Sequence, residues 1–491
     1  MKTYLLVLLS LILFITSLTA QVNRGADYKP DYKYAPAQLQ YDFTIFRWLL
    51  EKIHPGLDWY TPKARLDYLM DSTYALLDSD SLTERAFYQL LSPIVAQIHC
   101  GHTILDPSYF YQDLGKRFPL DLKFVEGKAY LRYNYMEDQE VPLGSEVLSI
   151  NGQAMPELIQ ELFRHIPSDA THPAGKYATL DEDFQNYYDL LIAQPDTFVL
   201  ECIHMESKEK IILKIPALDS DKLRSYNKRY LDDLMEHKTL DLKILHEAQT
   251  AILEINSFYP IDIKFERQRF DKYIKKAFAQ IRSEKVQSLI IDLRRNGGGE
   301  MLYVNELFSY IAQKPYQFLD RVEVSTNKEV SLASLRELSK LKVHNPRHVA
   351  ETDSGTYIVK AQYYNFLEKQ KPKKYPFAGD VYVLISHKSF SAGSFFATLA
   401  YAENRAVFVG EESGGGAYGL NGGDFIDIAL PNTNLLIEIP VEKWVKEIPN
   451  YPDSKRGIIP QHIVRNTMKD LLIGKDRVLE YTLDLIYKKK E

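Results

Sequence analysis

Residues 381–411 read VYVLISHKSFSAGSFFATLAYAENRAVFVGE. The order is an apolar run, a short polar turn, a helix-forming stretch and a second apolar run. Runs of four to six apolar residues flanked by turn signals suit buried strands. Between them Ala392, Phe395, Phe396, Leu399 and Ala402 fall at helical spacing, so the helix opens at or just after Ser391. A strand, a helix and a second strand suggest a layered α/β core. Ser391 then has two readings. It is either a helix cap, since serine is among the favoured caps, or a nucleophile whose oxyanion would meet the amides and dipole of a helix N-terminus.

Outward from this stretch the alternation continues. Upstream come a strand in AILEINSF (251–258), a helix over 264–284, a strand in SLIIDLR (288–294), glycines 297–299 and a helix over 300–312. The glycines of IIDLRRNGGGE (290–300) let backbone approach a ligand closely. No Lys-Ser/Thr follows them, which excludes a P-loop. A lysine-rich insertion at 314–378 divides this half, as either a lid or substrate wall or a surface decoration.

Four further regions are expected. MKTYLLVLLSLILFITSLTA (1–20) has a lysine, an apolar run from Leu5 to Ile15 and a Thr-Ala exit before Gln21. This is the pattern of a secretory signal peptide, too short in its apolar run for a span, so the mature chain is expected to be exported, periplasmic or extracellular, without stable membrane insertion. Residues 21–38 read as a leader. Residues 39–115 read as a helical segment, with Ser79, Asp80 or Ser81 as the cap of its second main helix. Residues 116–215 are β-rich, with alternating strands around a Glu-Gly turn at 126–127. The later VLSING strand, its Asn-Gly turn and an amphipathic helix resemble a PDZ domain, which binds extended peptide ends by strand addition. A plain β-rich spacer is the alternative. Residues 216–249 are read as a helical linker, 250–470 as the core and 471–491 as a C-terminal helix.

Composition bounds the function. The 491 residues are 45% hydrophobic and 26% charged, with 60 basic and 66 acidic residues for a net charge of −6. There is no clustered basic face of the kind that binds nucleic acid. The two cysteines, Cys100 and Cys202, form no disulfide framework. Cys100 stands two residues before His102, but a metal site needs three or four suitably spaced ligands and no such cluster is visible. No metal and no organic cofactor are expected.

The motifs IIDLRRNGGG, SHKSFSAGSFFATLA, AVFVGEESGGG and GIIPQHIV occur in the order seen in the S41 peptidases, and the region from about Leu253 to Val464 resembles that family. The resemblance implies a crotonase/ClpP-like layered protease core and an exported serine endopeptidase acting on peptides or unfolded proteins, near their C-termini. One branch of the family uses a lysine base in a loop that here reads GEESGGGAYG (410–419). The lysine position, 25 residues after Ser391, is Gly416, and the glutamate expected three residues after the serine is Ser394. The tricorn-like branch takes its base from an upstream Gly-His-Thr motif, found here in AQIHCGHTIL (96–105).

The resemblance therefore implies Ser391 as nucleophile and His102 as general base, with the amides of Gly298 and Ala392 as oxyanion donors. Imidazole suits this task because its pKa lies near working pH. His99 and His462 are rival bases. Gly101 replaces the serine that precedes the histidine in that branch, and Gln461 stands where an acidic residue is common. Glu411, Glu438 and Glu442 are candidates for the group that orients the imidazole. A non-catalytic peptide or hydrophobic-ligand binder on the same scaffold, or an esterase using the same dyad, are the alternatives.

Overall fold

The computed structural model describes residues 29–106, 115–136, 140–220, 222–223, 238–326 and 345–490. The signal-peptide segment and most of the leader lie outside the described residues.

The N-terminal segment begins with helix α1 (Pro36–Ile53), with proline in its first turn where a missing amide costs nothing. The leader's last residues are thus helical. Helices α2 (Lys63–Ala75) and α3 (Glu84–Ile98) follow. The cap of α3 is Thr83, whose Oγ1 accepts from the Ala86 amide at 3.2 Å, in place of the three upstream candidates. Its C-terminal end is closed by His99 in the left-handed region (φ 57°). The chain then turns sharply through Cys100–Thr103 into strand β1 (Ile104–Leu105).

The second region has its own sheet and core. Strands β2 (Leu120–Val125), β3 (Lys128–Asn134), β4 (Glu146–Ile150), β5 (Thr197–Ile203) and β6 (Lys210–Pro216) pair antiparallel in the order β6-β5-β4-β3-β2. Glu126-Gly127 and Asn151-Gly152 all have positive φ, as the two-residue hairpin turns that match the right-handed twist of their strands require. Helices α4 (Met155–Phe163) and α5 (Ala174–Leu191) contribute Leu158, Leu162, Phe184 and Tyr188 to this core. Side chains of α5 occupy the β2 edge: Asp181 accepts from the Phe124 amide at 2.8 Å, and Gln185 donates to the Leu120 carbonyl at 2.7 Å. Cys202 belongs to this core and Cys100 to the N-terminal one, and both are free thiols.

The C-terminal half is built on a largely parallel sheet. Strands β7 (Leu240–Leu245), β8 (Thr250–Ile255) and β9 (Ser288–Asp292) are followed, after helix α7 (Met301–Ser309) and the insertion, by β13 (Asp380–Ile385), β14 (Val407–Gly410) and β17 (His462–Ile463). Only the β7–β8 pair is antiparallel. The end of the expected helical linker is therefore strand β7, because Leu240, Leu242 and Ile244 alternate with polar residues, a period of two; residues 221 and 224–237 lie outside the described residues. Helices α6 (Phe270–Ser283), α7 and α8 (Ala392–Ala402) share one core with the sheet. Helix α9 (Arg477–Lys490) packs Val478 and Ile486 against Ile290, Leu384 and Val409 on the other face.

The insertion supplies structure rather than decoration. Its strands β10 (Arg321–Val324), β11 (Val349–Glu351) and β12 (Tyr357–Val359) join β15 (Gly419–Ala429) and β16 (Leu436–Val445) in the order β11-β12-β10-β16-β15. Strand β1 also pairs with β16, Ile104 opposite Glu438 and Leu105 opposite Ile437. Beside it Ile437, Ile439 and Val441 share the core of α1–α3. That junction carries the N-terminal histidine motif to the C-terminal half.

Candidate active site

The residue before α8 is held in an unusual shape. Ser391 has φ 50° and ψ −123°, and its side chain makes no capping bond. A non-glycine residue is strained there, and such strain persists only where surroundings impose it. They do so through Asn296. Its carbonyl accepts from the Phe390 amide at 3.0 Å, its Nδ2 donates to the Ile255 carbonyl at 2.9 Å, and its Oδ1 accepts from the Gly298 amide at 3.0 Å. Gly393 lets the Asn296 carbonyl approach, since a Cβ there would lie 2.4 Å from that oxygen. The turn is pinned further by Ser389, whose Oγ accepts from Ser386 at 3.0 Å and donates to Leu293 at 2.8 Å.

Freed from capping, Ser391 Oγ lies 3.0 Å from His102 Nε2. The two residues are 289 positions apart. The His102 ring stacks on Phe390, centroids 4.7 Å apart and planes at 21°. Gly101 makes room for the Phe390 ring, because a Cβ would lie 2.7 Å from it. Burial holds His102 down to about 4, so the imidazole is neutral at pH 7 and Nε2 can accept a proton.

Gly298 adjoins the pair. A Cβ there would lie 2.6 Å from Ser391 Cβ and 3.3 Å from the Ala392 amide, so only glycine leaves this space open. Its own amide is committed to Asn296, which differs from the free donor expected of it. Ala392, as the first helical residue, has no acceptor within α8. Ser394, the family's altered position, donates to the Ser391 carbonyl at 2.9 Å.

None of the three expected glutamates is bonded to His102 among the described residues. Glu411 faces His387 at 3.5 Å and Arg465 at 3.1 Å. Glu438 sits opposite Ile104, where burial and Asp427 push its carboxyl up to about 7. Glu442 accepts from Tyr364 at 2.8 Å and Trp444 at 2.7 Å within the cleft. The rival bases stand apart from Ser391: His99, whose backbone closes α3, is lowered by burial to about 4, and His462 bonds Tyr481 at 3.1 Å. Gln461 accepts from the Phe408 amide at 2.7 Å.

The acid beside His102 is one that no motif marks, Asp169. Its Oδ1 is 3.9 Å from His102 Nδ1 and accepts from the Gly101 amide at 2.7 Å. Gly416, at the position where the lysine branch keeps its base, supplies a second backbone bond to it. Burial raises the Asp169 carboxyl to about 7 against these two amides. The only sequence cue would have been the end of HIPSDA after α4, which alone singles out no acid.

Ser391 and His102 open onto a cleft of about 510 Å³. Tyr364 and Phe366 of the insertion, Leu420, Phe425 and Trp444 supply its apolar walls. Glu300, Asp424 and Glu442 line the same cleft, so it is concave and mixed in polarity.

The family model described as peptidase family S41 matches residues 249–464. Among solved structures, mature CPAF is 14% identical, with 91% of this chain and 96% of that chain covered and a TM-score of 0.62. The complex of mature CPAF with lactacystin gives 14% identity, 92% and 97% coverage and a TM-score of 0.62. A photosystem II D1 C-terminal processing protease is 12% identical over 87% of this chain and 93% of that chain, with a TM-score of 0.43. No curated protein matches the chain in sequence.

Proposed function

From the match of residues 249–464 to the peptidase family S41 model, we propose that this chain is a serine-type peptidase, an exported endopeptidase using a Ser391–His102 dyad on peptides or unfolded proteins. The observation that carries the mechanism is the 3.0 Å contact between Ser391 Oγ and His102 Nε2. Ser391 Oγ attacks the scissile carbonyl carbon while its proton passes to Nε2. The oxyanion forms at the N-terminus of α8, where the Ala392 amide is free to donate. Collapse of the tetrahedral intermediate expels the amine, which takes the proton back from His102. Water then hydrolyses the acyl-enzyme with the same histidine as base.

Asp169 acts through His102. At 3.9 Å it is not hydrogen-bonded to Nδ1 in the resting site, and imidazolium formation draws the two together. It is a positioning residue, in place of the glutamates.

The core adopts the layered arrangement of crotonase and ClpP-like enzymes, and residues 116–215 serve as a PDZ-like unit that gathers chain ends. The β2 edge is occupied by α5 side chains, so strand addition falls to β6, where Ile212 is 61% exposed. Cleavage near C-termini follows from that gathering.

The test is hydrolysis of unstructured peptides by the chain from Gln21 onward, beside its Ser391→Ala and His102→Ala variants. Loss of turnover in both variants, with unchanged thermal unfolding, supports the dyad. Full activity in His102→Ala rules it out.

A further inference from the structure

Behind His102, on the side away from Ser391, lie polar atoms that the resting site leaves without hydrogen-bond partners among the described residues. Cys100 Sγ, a ring nitrogen of His102 and a carboxylate oxygen of Asp169 all lie within 4.8 Å of one another, and the three residues are buried. Among the described residues, His102 Nδ1 and Asp169 Oδ2 have no hydrogen-bond partner, nor do the buried Tyr60 hydroxyl and Asn421 Oδ1. Tyr60 senses both Asp169 and Cys100, and Asn421 is bonded to the Cys100 side chain, so these atoms belong to one neighbourhood. A buried polar group left unpaired forfeits its hydration without return, and a cluster of them calls for an occupant. The sequence offered Cys100 and His102 without a third ligand. The fold supplies it in Asp169, 68 residues beyond Gly101.

We propose that Cys100, His102 and Asp169 form a binding site for a zinc-class divalent cation, and that its occupation switches the peptidase off. Thiolate, imidazole and carboxylate are the donors zinc accepts, at ~2.0–2.3 Å, so ligand atoms around it sit roughly 3.5 Å apart. The 3.9 Å between His102 Nδ1 and Asp169 Oδ1 needs only a small contraction. Calcium and magnesium, which prefer all-oxygen shells, do not match this set. His102 borders the cleft, so an ion reaches the site past its ring. Binding forms one bond each to sulfur, nitrogen and oxygen, and the thiol proton leaves to solvent without any redox change.

The consequence for Ser391 is direct. An imidazole bound to metal through Nδ1 carries its remaining proton on Nε2. Nε2 then donates to Ser391 Oγ and can no longer accept the serine's proton. The base is lost while the site's shape is kept.

Binding is independent of turnover, whereas the switch rests on the peptidase reading above, so the two are measured separately. The metal-free Ser391→Ala chain, which keeps all three ligands, is titrated with zinc chloride and with calcium chloride. Expected are one retained zinc per chain by elemental analysis, a rise in melting temperature reversed by EDTA, and no response to calcium. Adding Cys100→Ala, or Asp169→Asn where the first variant unfolds, weakens zinc binding ~10-fold or more. No retained zinc, or equal retention in these ligand variants, overturns the site. Peptide hydrolysis by the wild-type chain is then measured with zinc and again after EDTA. Suppression and recovery support the switch, as does a Cys100→Ala chain with equal rates with and without zinc. Zinc bound at the site with no effect on hydrolysis overturns the switch. A metal-free wild-type chain that hydrolyses no peptide defeats the peptidase reading instead, and leaves the binding result standing.

Discussion

Two buried histidines in this molecule each face a buried aspartate, and they have opposite fates. His387 lies in the turn before Ser391, clamped between Asp181 Oδ2 at 2.8 Å and Glu411 Oε2 at 3.5 Å. Burial pulls its pKa down, but these bonds outweigh burial and raise it. Asp181 shows the reverse balance: burial pushes its carboxyl up, while Lys123 and His387 hold it below the usual carboxylate range. His102 and Asp169 have the same burial and no mutual hydrogen bond, and burial prevails for both, downward for the imidazole and upward for the carboxyl. Equal burial thus gives a structural ion pair where partners are complete, and a neutral, proton-accepting imidazole where one is missing. The first pair joins α5 of the β-rich region to the nucleophile's turn; the second stands at the nucleophile.

The comparison is tested first at the open pair. Ser391→Ala and His102→Ala each lower kcat by ~10⁴-fold or more, read in peptide hydrolysis with thermal unfolding unchanged. A smaller loss for His102→Ala would make its uncharged state incidental. Next comes the closed pair. Asp181→Asn removes one partner of a buried pair and costs about 3 kcal/mol of stability by denaturant unfolding, with kcat of the folded fraction kept within about threefold. A variant as stable as wild type would show that the clamp contributes nothing.

Asp169→Asn reverses the pattern, lowering kcat ~10²-fold with KM little changed, while Asp169→Glu recovers part of the loss. If Asp169→Asn instead destabilised the chain and left kcat alone, the two aspartates would be alike and the contrast would fail. The smallest effect is in pH. A histidine raised above 6.5 stabilises fully below that value and loses its contribution as pH rises through the folded value; the lowered Asp181 stabilises above 3.8 and fails only in stronger acid. As pH rises from below 6.5 through the folded value, the wild type should therefore lose more stability than His387→Gln, as followed by urea midpoints.

The sequence made parts of this legible for identifiable reasons. Ser391 and His102 lie in compact motifs, and the strands flanking α8 are local apolar runs, so short stretches disclosed them. Asp169 was hidden because its partners, Gly101 and Gly416, are backbone amides brought together only by the fold. Strand β7 was misread as a helical linker although its period-two pattern was present, since the antiparallel pairing with β8 stabilises it. The cap of α3 lay one turn later than its polar run suggested, where Thr83 reaches the Ala86 amide. The insertion's strands could be placed only once β16 offered them an edge. Local chemistry could be read from the residues; pairings across the chain could not.

The 289 residues between the proposed base and the proposed nucleophile also set an order in time. During synthesis at roughly 5–20 residues per second, the histidine motif leaves the ribosome ~15–60 s before the serine does. Throughout that interval the growing chain has an imidazole with no hydroxyl to activate. A strained serine turn formed later is equally idle until strand β1 has docked on β16. On the proposed mechanism, competence therefore comes late, when the N-terminal histidine motif meets the serine turn across the β1–β16 junction.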